Sequence, residues 1–306
     1  MARWTTTATP VSLPKEATMA DQLVQDLLES GIHFGQKKSA WNPKMKPYIW
    51  GTRNRIHIID IRQTIRGLLL ANKFITKVVG EGKDIVFVGT KRQARTSIEE
   101  RCTEMGMPWV TERWLGGTLT NFRTIRERLK RLIELEGLVE SGEIETYSKK
   151  MTSQLMREKR KITRNLQGIR NMTKQPGAVF VVDTTREVNA LREARVLGIP
   201  TIGLIDTDGD PGMVDIPIPG NDDSMRSIDV VIRTLSEAVM AGLELRGAGK
   251  DTEDDGEETQ KSPRRRSNRS QYSANNDDAA AAPDAAAAPD AAPAPEVATE
   301  PVAEQG

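Results

Sequence analysis

Apolar positions along the chain follow two rhythms. Short continuous runs stand at 56–61 (IHIIDI), 84–88 (DIVFV), 178–182 (AVFVV) and 201–205 (TIGLI), with a brief pair at Trp109 and Val110. Between them, apolar residues recur every three or four positions, the spacing of one helix face. Leu23, Leu27 and Leu28 predict a first helix from Asp21, with Asp21 as its cap and Gly31 as its stop. Ile65, Leu68, Leu69, Phe74 and Ile75 predict the inward stripe of a helix over 64–79, and further helices are predicted over 92–105, 186–197 and 224–245. Pro217 to Pro219 mark a sheet edge. Strands this apolar are buried on both faces, and strands alternating with helices predict an α/β fold. Its parallel sheet should have about five strands and be covered on both sides.

The alternation breaks between 119 and 174. Leu119, Phe122, Ile125, Leu129 and Leu132 form one helical stripe; Met151, Leu155, Ile162, Leu166 and Ile169 form a second, with Gly137 and Gly142 between. This predicts an inserted antiparallel helical hairpin, a coiled coil of two helices of about 20 residues and about 30 Å each. Its cations, Arg123, Arg126, Lys130, Arg131, Lys159, Arg160, Lys161 and Arg164, are a solvated face in the plain reading and a polyanion site in the functional one. The domain plan is therefore an α/β domain over 19–118 and 175–246, the hairpin over 119–174, a flexible extension over 1–18 and a disordered acidic Ala/Pro-rich tail over 247–306. Met19 is an alternative start.

Charge changes the picture. The chain has a net charge of +1, but the last 60 residues hold 6 Lys+Arg and 13 Asp+Glu, while 19–246 holds 36 and 29. A globular part of about +7 with an acidic tail points to a polyanionic partner. Cys102 is the only cysteine, so an intrachain disulfide is excluded and a reducing compartment fits. No apolar run approaches the roughly 20 residues of a membrane span, so no membrane partner is expected. The basic excess is concentrated in an arm from Gln36 to Arg55 with Lys37, Lys38, Lys44, Lys46, Arg53 and Arg55 and no carboxylate. Trp41, Tyr48 and Trp50 are interleaved with these cations. Pro43, Pro47, Gly51 and Asn54 argue against a long helix. Unpaired cations beside flat rings suit RNA, phosphates taking the charge and bases stacking on the rings. The bland alternative packs the rings on the core and leaves the lysines solvated.

Other motifs weigh less. FVGTKRQA (87–94) is an ordinary strand-to-helix turn rather than a P-loop, with Lys91 and Arg92 available to an external phosphate. Asp60, Asp183 and Asp206 fall near strand ends, where they could hold Mg²⁺ or cap helices; capping is the plainer account. DTDGDPG (206–212) fails as a calcium loop, since Pro211 and Pro217 stand where Gly and Glu are needed. His33 and His57, with one cysteine, build no zinc set. No cofactor, metal-ligand set, catalytic residue or small-molecule substrate is therefore expected, and a structural metal is left open. A phosphate- or Mg-dependent α/β enzyme using the strand-end carboxylates is the alternative from another class.

HFG, AWNPKMKPYIWGTRN and HIIDI closely resemble the N-terminal signature of the bacterial small-subunit ribosomal protein S-two family. FVGTKR, RWLGGTLTNF, PGAVFVVD and LGIPTIGLIDTDGDPGMVDIPIPGNDD follow in order, so the resemblance covers roughly 22–246. It departs at both ends, and at Gln36, where the family often has a second histidine. The resemblance implies a flavodoxin-like three-layer α/β/α domain with an inserted coiled coil. It implies a structural constituent of the cytoplasmic small ribosomal subunit, an organellar ribosome being an alternative. Such a protein docks between head and body, contacts small-subunit rRNA and neighbouring proteins, and supports recruitment of ribosomal protein S-one. The residues assigned to rRNA are Lys37, Lys38, Trp41, Lys44, Lys46, Arg53, Arg55, Lys91, Arg92, Arg113 and Arg123.

Overall fold

The computed structural model describes the backbone of residues 15–258 and the side chains of residues 22–247. The expectations for residues 1–14 and 259–306, within the N-terminal extension and the acidic tail, lie outside the described residues. The first helix, Lys15–Ser30 (α1), starts before Asp21, so Asp21 is not its cap. Leu27 is buried, whereas Leu28 faces outward. The arm forms no long helix. It contains Phe34–Lys37 (β1), two short 3-10 turns, Ile49–Arg53 (β2) and Ile56–Ile59 (β3). These strands make an antiparallel sheet in the order β1-β3-β2. The apolar run at 56–61 is therefore a correction: it lies in a small separate sheet with Ile56 exposed, because alternate residues face opposite sides.

The main sheet is Ile85–Val88 (β4), Trp109–Val110 (β5), Ala178–Val182 (β6), Thr201–Ile205 (β7) and Ile216–Pro219 (β8), parallel throughout and ordered β5-β4-β6-β7-β8. Numbered within the sheet this order is 2-1-3-4-5, the flavodoxin-like doubly wound arrangement. Proline is tolerated in β8 because β8 is an edge strand. One face, with Ile85, Phe87, Phe180, Val182, Ile202 and Leu204, packs on α1, Ile61–Gly80 (α2), Arg92–Met105 (α3) and Met225–Glu258 (α7). The other face, with Val86, Val88, Val179 and Val181, packs on Val188–Leu197 (α6), the arm and the hairpin root. Each strand serves both cores through the period-two alternation. Helix α7 continues past Gly247, beyond the predicted stop near 245.

The insertion is the predicted hairpin, Phe122–Glu140 (α4) and Lys149–Leu166 (α5). Ile125, Leu129, Leu132, Leu155, Ile162 and Leu166 are buried along its seam, joined at the base by Leu119 and Ile169. Met151 is exposed beside the turn, where no partner helix remains to cover it. Gly168 sits so close to Trp109 that an added Cβ would lie 2.1 Å from its carbonyl oxygen, which fixes the hairpin root against β5.

Helix α2 corrects a second stripe. Leu68 and Ile75 are buried, but Leu69 is 52% exposed. One step of about 100° moves a side chain from the core to solvent, so two adjacent leucines cannot share a face. Phe180→Ala should cost about 3–5 kcal/mol, and Leu69→Ala should stay within about 0.5 kcal/mol of wild type. Denaturant unfolding of both variants checks this; equal losses would contradict the assignment of α2's faces.

Candidate nucleic-acid interface

The arm is held by its inner side. Met45 is buried in the second core, and Tyr48 and Ile49 pack against it. Gly35 passes so near the loop after β7 that a Cβ would lie 2.6 Å from Thr207 Cγ2. At that loop the Gln36 amide N–H donates to Thr207 Oγ1 at 2.8 Å and the Asn42 N–H donates to the Thr207 carbonyl at 2.7 Å. The Gln36 side chain donates to Asp206 Oδ2 at 3.3 Å and Asp223 Oδ2 at 2.6 Å. Lys44 pairs with Asp210 at 2.6 Å.

On the outer side, strands β2 and β3 meet in a two-residue turn, Asn54 and Arg55, with φ of 53° and 64°. This is the double-positive pattern of a type I′ hairpin, whose twist matches the flanking strands. Arginine in this conformation costs about 1 kcal/mol or more and is held by the pairing of Arg53 with Ile56. Arg55 thereby joins Lys37, Lys38, Ser39, Asn54 and Ile56 around an open cleft of about 740 Å³. Lys37, Lys38, Lys46, Arg53 and Arg55 are exposed, and among the described residues none of them reaches a carboxylate.

The other assigned residues divide. Arg92, Arg113 and Arg123 are exposed, at the start of α3, after β5 and at the start of α4. Arg123 also lies 3.4 Å from Glu127. Trp41 is half-buried, its ring 5.2 Å from that of His57. Lys91 is not available to an external phosphate as expected: its side chain is 11% exposed and its ammonium lies 2.7 Å from Asp222, 2.6 Å from Asp223 and 3.5 Å from Asp183. Burial alone would pull this lysine down, but Asp222, Asp223 and Asp183 reverse that and hold it above the usual lysine range.

The strand-end carboxylates are thus engaged inside the protein. Asp60 caps α2 by accepting from Arg62 N–H at 3.0 Å, and Asp183 accepts from the N–H groups of Thr185 and Arg186. One oxygen each from Asp206, Asp222 and Asp223 lies within 4.8 Å of the others, a spacing a cation could use; the Lys91 ammonium and the Gln36 amide already serve them. Burial, with Asp208 and Asp223 adding to it, pushes Asp206 up to about 7. Burial and the charges of Asp183 and Asp206 push Asp222 up to about 8.

Two features escaped the sequence reading. Trp50 is 76% exposed at the irregularity between Ile49 and Gly51 in β2. Phe34 and Ile56 are also exposed on the strands of the same small sheet. The second feature is Glu193 on α6, which accepts hydrogen bonds from the loop after β5. Trp50 was legible as an aromatic but not as a bulge residue; Glu193 left no local signal, since its partners lie more than 70 positions earlier.

The family model described as Ribosomal protein S2 matches residues 27–242. The chain belongs to the ribosomal protein S2 family. It is 57% identical over 224 residues to the small ribosomal subunit protein uS2 of Rhodopirellula baltica, covering 73% of this chain and 86% of that protein. It is 48% identical over 224 residues to uS2 of Syntrophobacter fumaroxidans (73% and 82%) and 50% identical over 234 residues to uS2 of Mycolicibacterium vanbaalenii (76% and 86%). Membership in the S2 family makes the chain a structural constituent of the small ribosomal subunit, in a non-enzymatic family. Among the described residues no helix is long and apolar enough to cross a membrane.

The Asp206 shift has a definite sign. An unfolded aspartate titrates near 3.8, so between there and about 7 the folded chain keeps a proton that the unfolded chain has lost. The stabilising contribution is complete below 3.8 and is lost as pH rises through about 7. Asp206→Asn should therefore shift Tm upward relative to wild type more at pH 8 than at pH 5. Thermal melts at both values check this, and equal shifts would refute it.

Proposed function

We propose that this chain is anchored in the small subunit of the cytoplasmic ribosome by rRNA phosphates on the outer side of the arm. Lys37, Lys38, Lys46, Arg53 and Arg55 are the principal contacts, and Arg92, Arg113 and Arg123 are outlying ones. The observation that carries this reading is the cleft around Lys37, Lys38 and Arg55, whose cations have no carboxylate partner among the described residues. Lys44 is 65% exposed and contributes only by exchanging Asp210 for a phosphate; Lys91 is left out. Trp41, held against His57, supports the arm from beneath. The location between head and body is adopted from the family resemblance.

A separate observation bears on a protein partner. Phe34 and Trp50 are exposed aromatic side chains of the small sheet that do not line the cationic cleft, and exposed aromatic residues are common anchors of protein interfaces. We assign this surface to a neighbouring small-subunit protein, ribosomal protein S-one being the partner the resemblance implies.

Phosphate contacts release counterions, so rRNA affinity should fall with salt at a log–log slope of roughly −0.7 to −0.9 per contact. Lys46→Ala should reduce the slope's magnitude by somewhat under one unit. Changing Lys37, Lys38, Arg53 and Arg55 together to Glu should abolish entry into small subunits while the isolated protein still folds. Wild-type occupancy of that folded variant would overturn the proposed anchor.

Trp50→Ala should behave differently. Tm and the RNA salt slope should stay near wild type, since the side chain is largely exposed, while affinity for purified S-one falls by about 2 kcal/mol, the loss expected of an interface anchor. Titration of S-one against both proteins checks this, and unchanged affinity would remove this surface from the interface.

A further inference from the structure

We infer that Glu193 is the positioning residue that fixes the root, and so the direction, of the α4–α5 hairpin. Its Oε1 accepts from the Trp114 indole Nε1 at 3.0 Å and the Gly117 N–H at 2.8 Å. Its Oε2 accepts from the Leu119 N–H at 3.0 Å, the Thr120 N–H at 3.3 Å and the Thr120 hydroxyl at 3.4 Å. All five donors belong to the loop between β5 and α4, the RWLGGTLTNF stretch that the family signature contains. Successive backbone N–H groups turned toward one point form an anion nest. Here the anion is supplied by α6 of the same chain. Burial raises the Glu193 carboxyl, but these donors outweigh it and hold it below the usual glutamate range, so the clamp is ionic at neutral pH.

The loop ends where the hairpin begins. Helix α4 starts at Phe122, two positions after the last clamped residue, so the path of residues 117–120 sets where its axis points. Trp114 and Leu119 are buried on either side of the clamp. The α5 leg has its own support: Glu112 bridges Arg95 of α3 at 2.9 Å and Arg164 of α5 at 2.7 Å, and Gly168 lies tight on Trp109. Releasing Glu193 therefore loosens the root of α4 while the root of α5 stays held, and the hairpin, its two helices still packed along their seam, pivots about the α5 root. Arg113 and Arg123, which flank the clamped loop, then lose a defined spacing from the arm.

The test uses the full chain with spin labels at Tyr147→Cys beside the hairpin turn and Arg66→Cys on α2, both exposed sites; Cys102 is buried. Glu193→Gln keeps the shape but turns an NH₂ donor toward N–H donors. It should broaden the inter-label distance distribution and speed amide exchange at Gly117, Leu119 and Thr120 by about tenfold or more. In Glu193→Ala, added sodium formate should restore the narrow distribution, which general damage to α6 would not allow. Leu191→Ala, a core truncation on the same helix, should lower Tm without broadening. If Glu193→Gln does not fold, Trp114→Phe, which deletes one donor from the loop side, should give partial broadening. Distributions as narrow as wild type in the folded Glu193 variants, or in Trp114→Phe, would overturn the inference. Only a last readout rests on the rRNA reading: Glu193→Gln should lower the magnitude of the RNA salt slope by up to about two contacts. Broadening with an unchanged slope would keep the clamp and remove Arg113 and Arg123 from the rRNA surface.

Discussion

A half-buried ammonium among carboxylates organises the working end of this molecule. A doubly wound sheet sends all its strand ends to one side, and here the loops after β6 and β7 and the segment after β8 bring Asp183, Asp206, Asp222 and Asp223 together. Carboxylates taken out of water without a counter-charge would cost several kcal/mol each. Lys91, at the turn after β4, supplies the counter-charge, and Gln36 supplies neutral donors from the arm. The crevice where open α/β sheets usually bind ligands is thereby filled by the protein's own side chains. The arm packs on it through Gln36, and Lys37, Lys38, Lys46, Arg53 and Arg55 stay exposed.

This arrangement sorts charge by side. Inner positions of the arm, Met45, His57 and Ile59, are buried, while the neighbours Lys46, Arg53 and Arg55 remain in water. In strands the sorting follows from alternation. In the Asn54–Arg55 turn it depends on an unusual backbone, since a positive φ is costly for arginine and glycine would have relieved it. The chain keeps a long cationic side chain at a position where backbone conformation alone would favour none.

Much of this was legible in the sequence because the signals were local. AVFVV and TIGLI coincide with β6 and β7, residues 92–105 with α3, and the hairpin with its double stripe. Where the reading went wrong, the deciding information was not local. Leu68 and Leu69 look alike in composition, and only the helix phase separates core from solvent. Lys91 looked free because Asp222 and Asp223 lie 131 and 132 positions later, and nothing near FVGTKR announces them. IHIIDI has the apolar density of a strand of the main parallel sheet, yet Ile58 pairs with Phe34 and Gly51 at the centre of the small antiparallel sheet. Ion pairs across the sheet and strand partnership across the chain are properties of the topology.

The acidic cluster also bears on how the arm could hold a polyanion. Ionised carboxylates in the cluster that Gln36 contacts would oppose the phosphates that the exposed cations of the arm are proposed to hold. The geometry reduces that opposition in two ways. Lys91 places a positive charge within 3.5 Å of three of the carboxylates. Burial raises Asp206 to about 7, so near neutral pH this carboxyl carries less than its full charge. Screening by solvent does little for the buried Asp183, Asp206 and Asp222, so their compensation has to come from within the fold. The single lysine that the turn after β4 delivers is spent on Asp183, Asp222 and Asp223, whereas Lys37, Lys38, Lys46, Arg53 and Arg55 stay exposed with no carboxylate partner among the described residues.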